Sequence, residues 1–135
     1  MRRIVLGLVL AIGAAQVAAA QDACPLPGQT KMLVTELFFG RATAKGEVTE
    51  EQWRAFLRKE ATPRFPEGFT AFDAYGQWRN PATKTIARER TKVLLIATDE
   101  SDKARRRIEE LAKAYRDAFG QRSVGIVTRE ECAAF

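Results

Sequence analysis

The chain has 135 residues and a formal charge of +5, with 22 basic and 17 acidic side chains and no histidine. That length has room for one domain. The missing imidazole excludes Ser-His and Cys-His nucleophiles, imidazole acid–base chemistry and the commonest metal ligand. The basic excess is mild and interspersed. Arg105-Arg106-Arg107 lies beside Glu109-Glu110 and reads as a solvated helix face, not as a one-signed stripe for nucleic acid.

At the amino terminus Arg2 and Arg3 precede an apolar run from Ile4 to Val17, which ends in Ala18-Ala19-Ala20. A positive start, a short apolar core and small residues at its end make a secretory signal, expected to be cleaved after Ala20. The run is short for a membrane span. Gln21-Asp22-Ala23, ahead of Cys24, lacks the aliphatic residue that a lipid-attachment site wants. The expected location is therefore periplasmic or secreted, with no membrane association after cleavage. Two cysteines remain, Cys24 and Cys132. In an exported chain an even count reads as a disulfide.

Residues 21–31 carry Pro25, Pro27 and Gly28 and read as an irregular lead-in to one α+β domain over 32–135. Met32 to Gly40 has the β-branched and aromatic content of a strand, apolar on both faces and so covered on both. Residues 41–47 form a loop. Thr49 caps a helix, Gln52 completes a capping box, and Val48 can staple onto Trp53. Trp53, Phe56, Leu57 and Ala61 make its apolar stripe, and Pro63 is expected to stop it. A turn at Pro66-Glu67-Gly68 leads to a second strand, Phe69 to Arg79. A turn opening at Asn80-Pro81 leads to a third, Thr85 to Thr98. Asp99 or Ser101 caps a second helix whose stripe is Ala104, Ile108, Leu111, Ala112, Tyr115 and Phe119, with Gly120 as its stop. Val124 to Thr128 is a short fourth strand, followed by a tail held by Cys132.

This order, β-α-β-β-α-β, is that of ferredoxin-like folds: a four-stranded antiparallel sheet, order 4-1-3-2, with two helices on one face. The topology carries Cys24 and Cys132 to the same end of the sheet. Counting out from the second turn, Arg79 pairs with Thr85 and Phe72 with Lys92. Alternation then puts Lys92, Leu94 and Ile96 on the helix-free face with Met32, Val34, Glu36 and Phe38. A Glu36–Lys92 pair is expected there, among Phe38, Phe72 and Trp78.

The segments ELFFGR (Glu36 to Arg41), PRFPEGFT (Pro63 to Thr70), GQWR (Gly76 to Arg79) and RERTK (Arg88 to Lys92) resemble a family of small exported bacterial proteins. That family is known only as domain of unknown function 3574. The resemblance spans the chain after the signal segment and includes a cysteine near each end. It implies boundaries and location but no chemistry.

With histidine absent and the cysteines paired, carboxylate, arginine, lysine and tyrosine chemistry remains. No metal or cofactor is expected. Ser101 and Ser123 lie outside any nucleophile elbow, and Gly68, Gly76 and Gly120 are isolated, not a phosphate loop. Glu36 interrupts an apolar strand, either as an ion-pair member or as a desolvated carboxylate. Asp73 and Tyr75 read as surface residues beside a turn or as lining of a site. Trp78 is core or a stacking wall. Arg41, Arg64, Arg79 and Arg88 are solvated or hold an anion bidentately. Two functions fit. One is a non-catalytic binding or interaction module, homodimeric through the helix-free sheet face. The other is a cofactor-free enzyme of the dimeric α+β barrel kind, isomerase or monooxygenase-like, acting on a small molecule. An enzyme needs a carboxylate and a proton donor aimed into one closed pocket, whereas a binder needs only an apolar face and a polar rim.

Overall fold

Alternation along β1 (Thr30–Gly40) organises the computed structural model, which describes residues 24–135. The signal segment over 1–20 and the expected start at Gln21 lie outside the described residues. Leu33, Thr35, Leu37 and Phe39 point to one side of β1 and are buried. Met32, Glu36 and Phe38 point to the other and are half-covered. β1 lies between β5 (Ile86–Thr98) and β6 (Gly125–Ala133), and β4 (Thr70–Arg79) pairs with the far edge of β5. The four-stranded sheet is antiparallel throughout, in the order β4-β5-β1-β6. A two-stranded hairpin, β2 (Ala42–Thr43) with β3 (Gly46–Glu47), occupies the stretch expected to be loop.

Two helical segments cover one face. The first begins as α1 (Glu50–Phe56) under the expected Thr49–Gln52 capping box. It does not stop at Pro63. A π-helical turn, Leu57–Ala61, widens the ladder and α2 (Thr62–Arg64) follows. In the wider turn the chain passes a residue with no amide to donate, and the Phe65 N–H still reaches the Ala61 carbonyl at 2.9 Å. The second segment, α3 (Asp102–Phe119), is capped by Ser101 and not by Asp99, and it ends at Gly120 in the left-handed region that glycine tolerates. The buried stripes of both meet Leu33, Leu37, Phe39, Leu94 and Ile96 in one core. At its centre the Phe39 ring lies 4.8 Å from Tyr115, 5.3 Å from Trp53 and 6.0 Å from Phe56, centroid to centroid.

Leu94 and Ile96 thus belong to the helix side, contrary to the expected helix-free placement. The pairs are Arg79↔Ile86, Phe72↔Val93 and Asp73↔Lys92, one residue away from the count made from the turn. The connection runs from Asn80 to Thr85, with Lys84 at φ 59° taking up the extra residue. In a sheet a slip of one residue moves every side chain of a strand to the opposite face. Toward the carboxyl terminus the fourth strand runs on to Ala133, so the expected tail is mostly strand and Cys132 lies within it. Cys24 and Cys132 are bonded, with Cα atoms 5.5 Å apart.

Candidate functional site

Two polar groups meet at the end of the sheet where β1 stops and the β4–β5 hairpin continues past it. On the helix side two cations are buried, Arg41 at 3 % and Lys92 at 5 % exposure. Lys92 projects from β5 opposite Phe39 and Asp73. Its ammonium donates to Glu50 Oε2 at 3.0 Å and lies 2.9 Å from Glu50 Oε1 and 2.6 Å from Asp73 Oδ1. Arg41 Nη1 donates to Glu50 Oε1 at 2.6 Å, and its Nε donates to the Val48 carbonyl at 2.8 Å. Glu47 lies 3.1 Å from Arg41 and 3.6 Å from Arg90. The carboxylates reach inward from half-exposed or exposed positions, so the cations are held inside and their partners at the surface. The hydrogen bond from Lys92 holds Glu50 below the usual carboxylate range, and the charges of Lys92 and Arg41 add to it. Lys92 acts on Asp73 in the same way.

On the other face of the same strand end, Glu89 is held by two N–H donors. The Trp78 indole Nε1–H donates to Oε1 at 3.2 Å and the Ala42 amide to Oε2 at 3.0 Å. Gly76 lies opposite Glu89, and Gly40 opposite Thr91. A Cβ on Gly40 would come within 2.7 Å of the Glu89 carboxylate, and one on Gly76 within 3.0 Å of the Thr91 hydroxyl. The missing side chain of Gly40 leaves the room that the Glu89 carboxylate fills, and that of Gly76 leaves room for the Thr91 hydroxyl. The turn beneath is held by Tyr115 and Gln121, which donate to the carbonyls of Gly40 at 3.0 Å and Ala42 at 2.6 Å. Burial pushes the Tyr115 phenol well above its ordinary pKa. A shallow concavity of about 320 Å³ adjoins, lined by Tyr75, Arg88, Arg90, Glu47 and Glu89 among others.

The structure therefore brings Arg41, Asp73 and Lys92 together, with Arg88 at the rim of the concavity and Trp78 on the opposite face. It separates the rest. Glu36 does not meet Lys92: it lies opposite Leu95 and Val127 and accepts from Arg129 Nη2 at 2.8 Å. The cause is the register slip described above, which sends Lys92 to the helix side. Arg64 is tied to the Glu60 carboxylate at 2.7 Å and lies 3.7 Å from Glu110, between the helices. Arg79 Nε donates to the Lys84 carbonyl at 3.3 Å and holds its own turn. Trp78 is a surface wall, 44 % exposed, and not core. Glu89 and Glu50 do not stand out in the sequence as candidate site residues. The signal for Glu89 was the strand glycine Gly40, since glycine within a strand marks a close approach. No such signal marks Glu50, which looks like any acidic residue in a first helical turn.

Residues 34–135 match the family described as protein of unknown function, DUF3574. The chain belongs to this family. Three of the four segments that carry the resemblance, ELFFGR, GQWR and RERTK, meet at this end of the sheet and supply Gly40, Arg41, Gly76, Trp78, Glu89 and Lys92. No curated protein matches this DUF3574 chain in sequence. Among solved structures it is similar to a phage SAM lyase in complex with S-methyl-5'-thioadenosine, with a TM-score of 0.61 and 15 % identity, over 77 % of this chain and 90 % of the lyase. At that identity the likeness is one of fold.

Proposed function

We propose that this DUF3574 protein is an exported ferredoxin-like interaction module, a single domain that works as a homodimer through the helix-free face of its sheet. The observation that carries this reading is the composition of that face. Phe72 and Val127 are 47 % and 48 % exposed on it, around Phe38, Val93 and Leu95. Soluble monomers rarely leave a contiguous apolar patch of this kind open. Glu36 and Arg129 lie side by side at its β6 edge. A patch with adjacent opposite charges is self-complementary across a two-fold axis, where each charge meets its opposite on a second copy. Sedimentation velocity at about tens of micromolar should give a dimer. Phe72→Glu, at a site already half-exposed, should give a monomer with an unchanged circular dichroism spectrum. A wild-type monomer under those conditions would end the dimer reading.

Export is supported by the Cys24–Cys132 bond, since disulfides persist in oxidising compartments. Among the described residues no helix is long and apolar enough to cross a membrane. Intact-mass measurement on protein recovered from the periplasm or medium should find a chain beginning at or near Gln21. A product that keeps Met1 to Ala20 and fractionates with membranes would contradict it.

A second reading, a small cofactor-free enzyme, is favoured by Glu89. A carboxylate oriented by two N–H donors has the form of a positioned acid–base group, and the fold neighbour is a lyase with a nucleoside thioether bound. The interaction reading is preferred because Arg41 and Lys92 are already matched by Glu47, Glu50 and Asp73, and the concavity is open. Calorimetric titration with S-methyl-5'-thioadenosine separates the two readings: saturable binding lost in Glu89→Gln would favour the enzyme.

A further inference from the structure

Glu89 is unlike the other carboxylates of this chain end. Glu47, Glu50 and Asp73 each face a buried cation. Among the described residues Glu89 faces none, because strand alternation turns Arg88 and Arg90 to the helix side and Glu89 to the other. Its neighbours on that face are Gly40, Gly76, Trp78, Ala87 and Thr91, all uncharged. Its two oxygens each accept one N–H, from the Trp78 indole and the Ala42 amide. Each keeps acceptor capacity, since an ionised carboxylate offers about four lone-pair sites. The neutral donors fix the direction of the carboxylate but leave its charge unmatched. Beside it stands the half-exposed indole of Trp78, the side chain best suited to a cation over its face. A fixed carboxylate beside an accessible indole forms a receptor for positive charge.

We propose that Glu89 and Trp78 form a binding site for a small organic cation bearing an ammonium or guanidinium group. The carboxylate supplies the ion pair, Trp78 the cation–π wall, and Gly40 the room for the carboxylate. The site goes beyond the dimer reading, which it does not require, and lies on the same face. It lies at the hairpin end, away from Phe72 and Val127.

The test is a titration of the full chain with tetramethylammonium chloride and, separately, methylguanidinium chloride, against sodium chloride at matched ionic strength. The readout is the indole N–H resonance of Trp78, assigned by its loss in Trp78→Phe. Trp53, 3 % exposed in the core, is the internal reference. The Trp78 resonance should move saturably with either organic cation, with half-saturation in the range of about millimolar, and stay still in sodium chloride. Glu89→Gln keeps an acceptor for the indole but removes the charge, and should weaken the response about threefold or more, the loss of an exposed cation–carboxylate contact with the indole left in place. Gly40→Ala leaves every charge in place and should weaken it too, by displacing the carboxylate. No response in the wild-type chain, or an undiminished one in Glu89→Gln, would overturn the site. A cation response in a chain that sediments as a monomer would remove the dimer reading and keep this one. A dimer that gives no response would do the reverse.

Discussion

Replacing Cys132 with alanine is expected to cost about 2–5 kcal/mol of stability, the usual loss for a native disulfide in a small exported domain. The bond joins residues 108 apart in sequence. In the chain-entropy account a loop of about 100 residues is worth about 4.7 kcal/mol, because the cross-link removes conformations from the unfolded chain. The folded state also depends on it locally. β6 has only β1 as a neighbour, and its first seven residues are exposed, so little burial holds the strand in place. The disulfide pins its far end where Cys132 pairs with Lys31, and Gln29 Nε2 donates to the Cys132 carbonyl at 3.3 Å. Urea unfolding should show the loss as a lower midpoint. A reductant should destabilise the wild-type chain by a similar amount and leave Cys132→Ala unaffected. A loss below about 0.5 kcal/mol, the scale of an indifferent surface change, would mean the bond holds nothing that folding needs.

Acid should unfold the protein through the cluster around Lys92. Glu50 and Asp73 both have folded-state pKa values held below their ordinary 4.5 and 3.8. A carboxylate of that kind binds its proton more readily in the unfolded chain. Its contribution to stability is therefore complete above the ordinary value and lost as pH falls through the depressed one. Asp99, lowered by the Ser101 hydroxyl and amide, adds to the same slope. Protonation of Glu50 and Asp73 also leaves Arg41 and Lys92 buried with fewer acceptors, which a cation out of water does not tolerate. The urea midpoint should be level near neutrality and fall steadily below about pH 4.5. In the Glu50→Gln, Asp73→Asn double variant the neutral plateau should be lower and the acid slope shallower. An unchanged slope would mean that other carboxylates drive acid unfolding.

Much of the fold was legible because its causes are local. The Thr49–Gln52 capping box, the stripe of Ala104, Ile108, Leu111, Ala112 and Tyr115, the stop at Gly120 and the apolar run into Ile96 all rest on residues within one helix or one strand. Element order alone was enough to bring Cys24 and Cys132 to one end of the sheet. Pro63 was misread because the remedy for its missing amide, a π-helical turn, leaves no mark in composition.

The candidate site was legible only in its members. Arg41, Asp73, Lys92, Trp78 and Arg88 were singled out as types of side chain able to do something, but their grouping depended on register, and register depended on how many residues the Asn80–Thr85 connection absorbs. A difference of one residue there exchanges Lys92 for Val93 on the helix-free face, and with it the partner of Glu36. Local preferences scarcely distinguish the two registers, because Val93 to Ile96 is apolar on both faces. Packing against α1 and α3 does: Leu94 and Ile96 must meet Phe39 and Tyr115, and Lys92 must reach Glu50. The sequence by itself determined the four long strands, the two helical segments, their order and the cysteine pair. Which face each charge occupies, and that Glu89 stands on the other side of the sheet from the arginines on either side of it, only the tertiary structure decided.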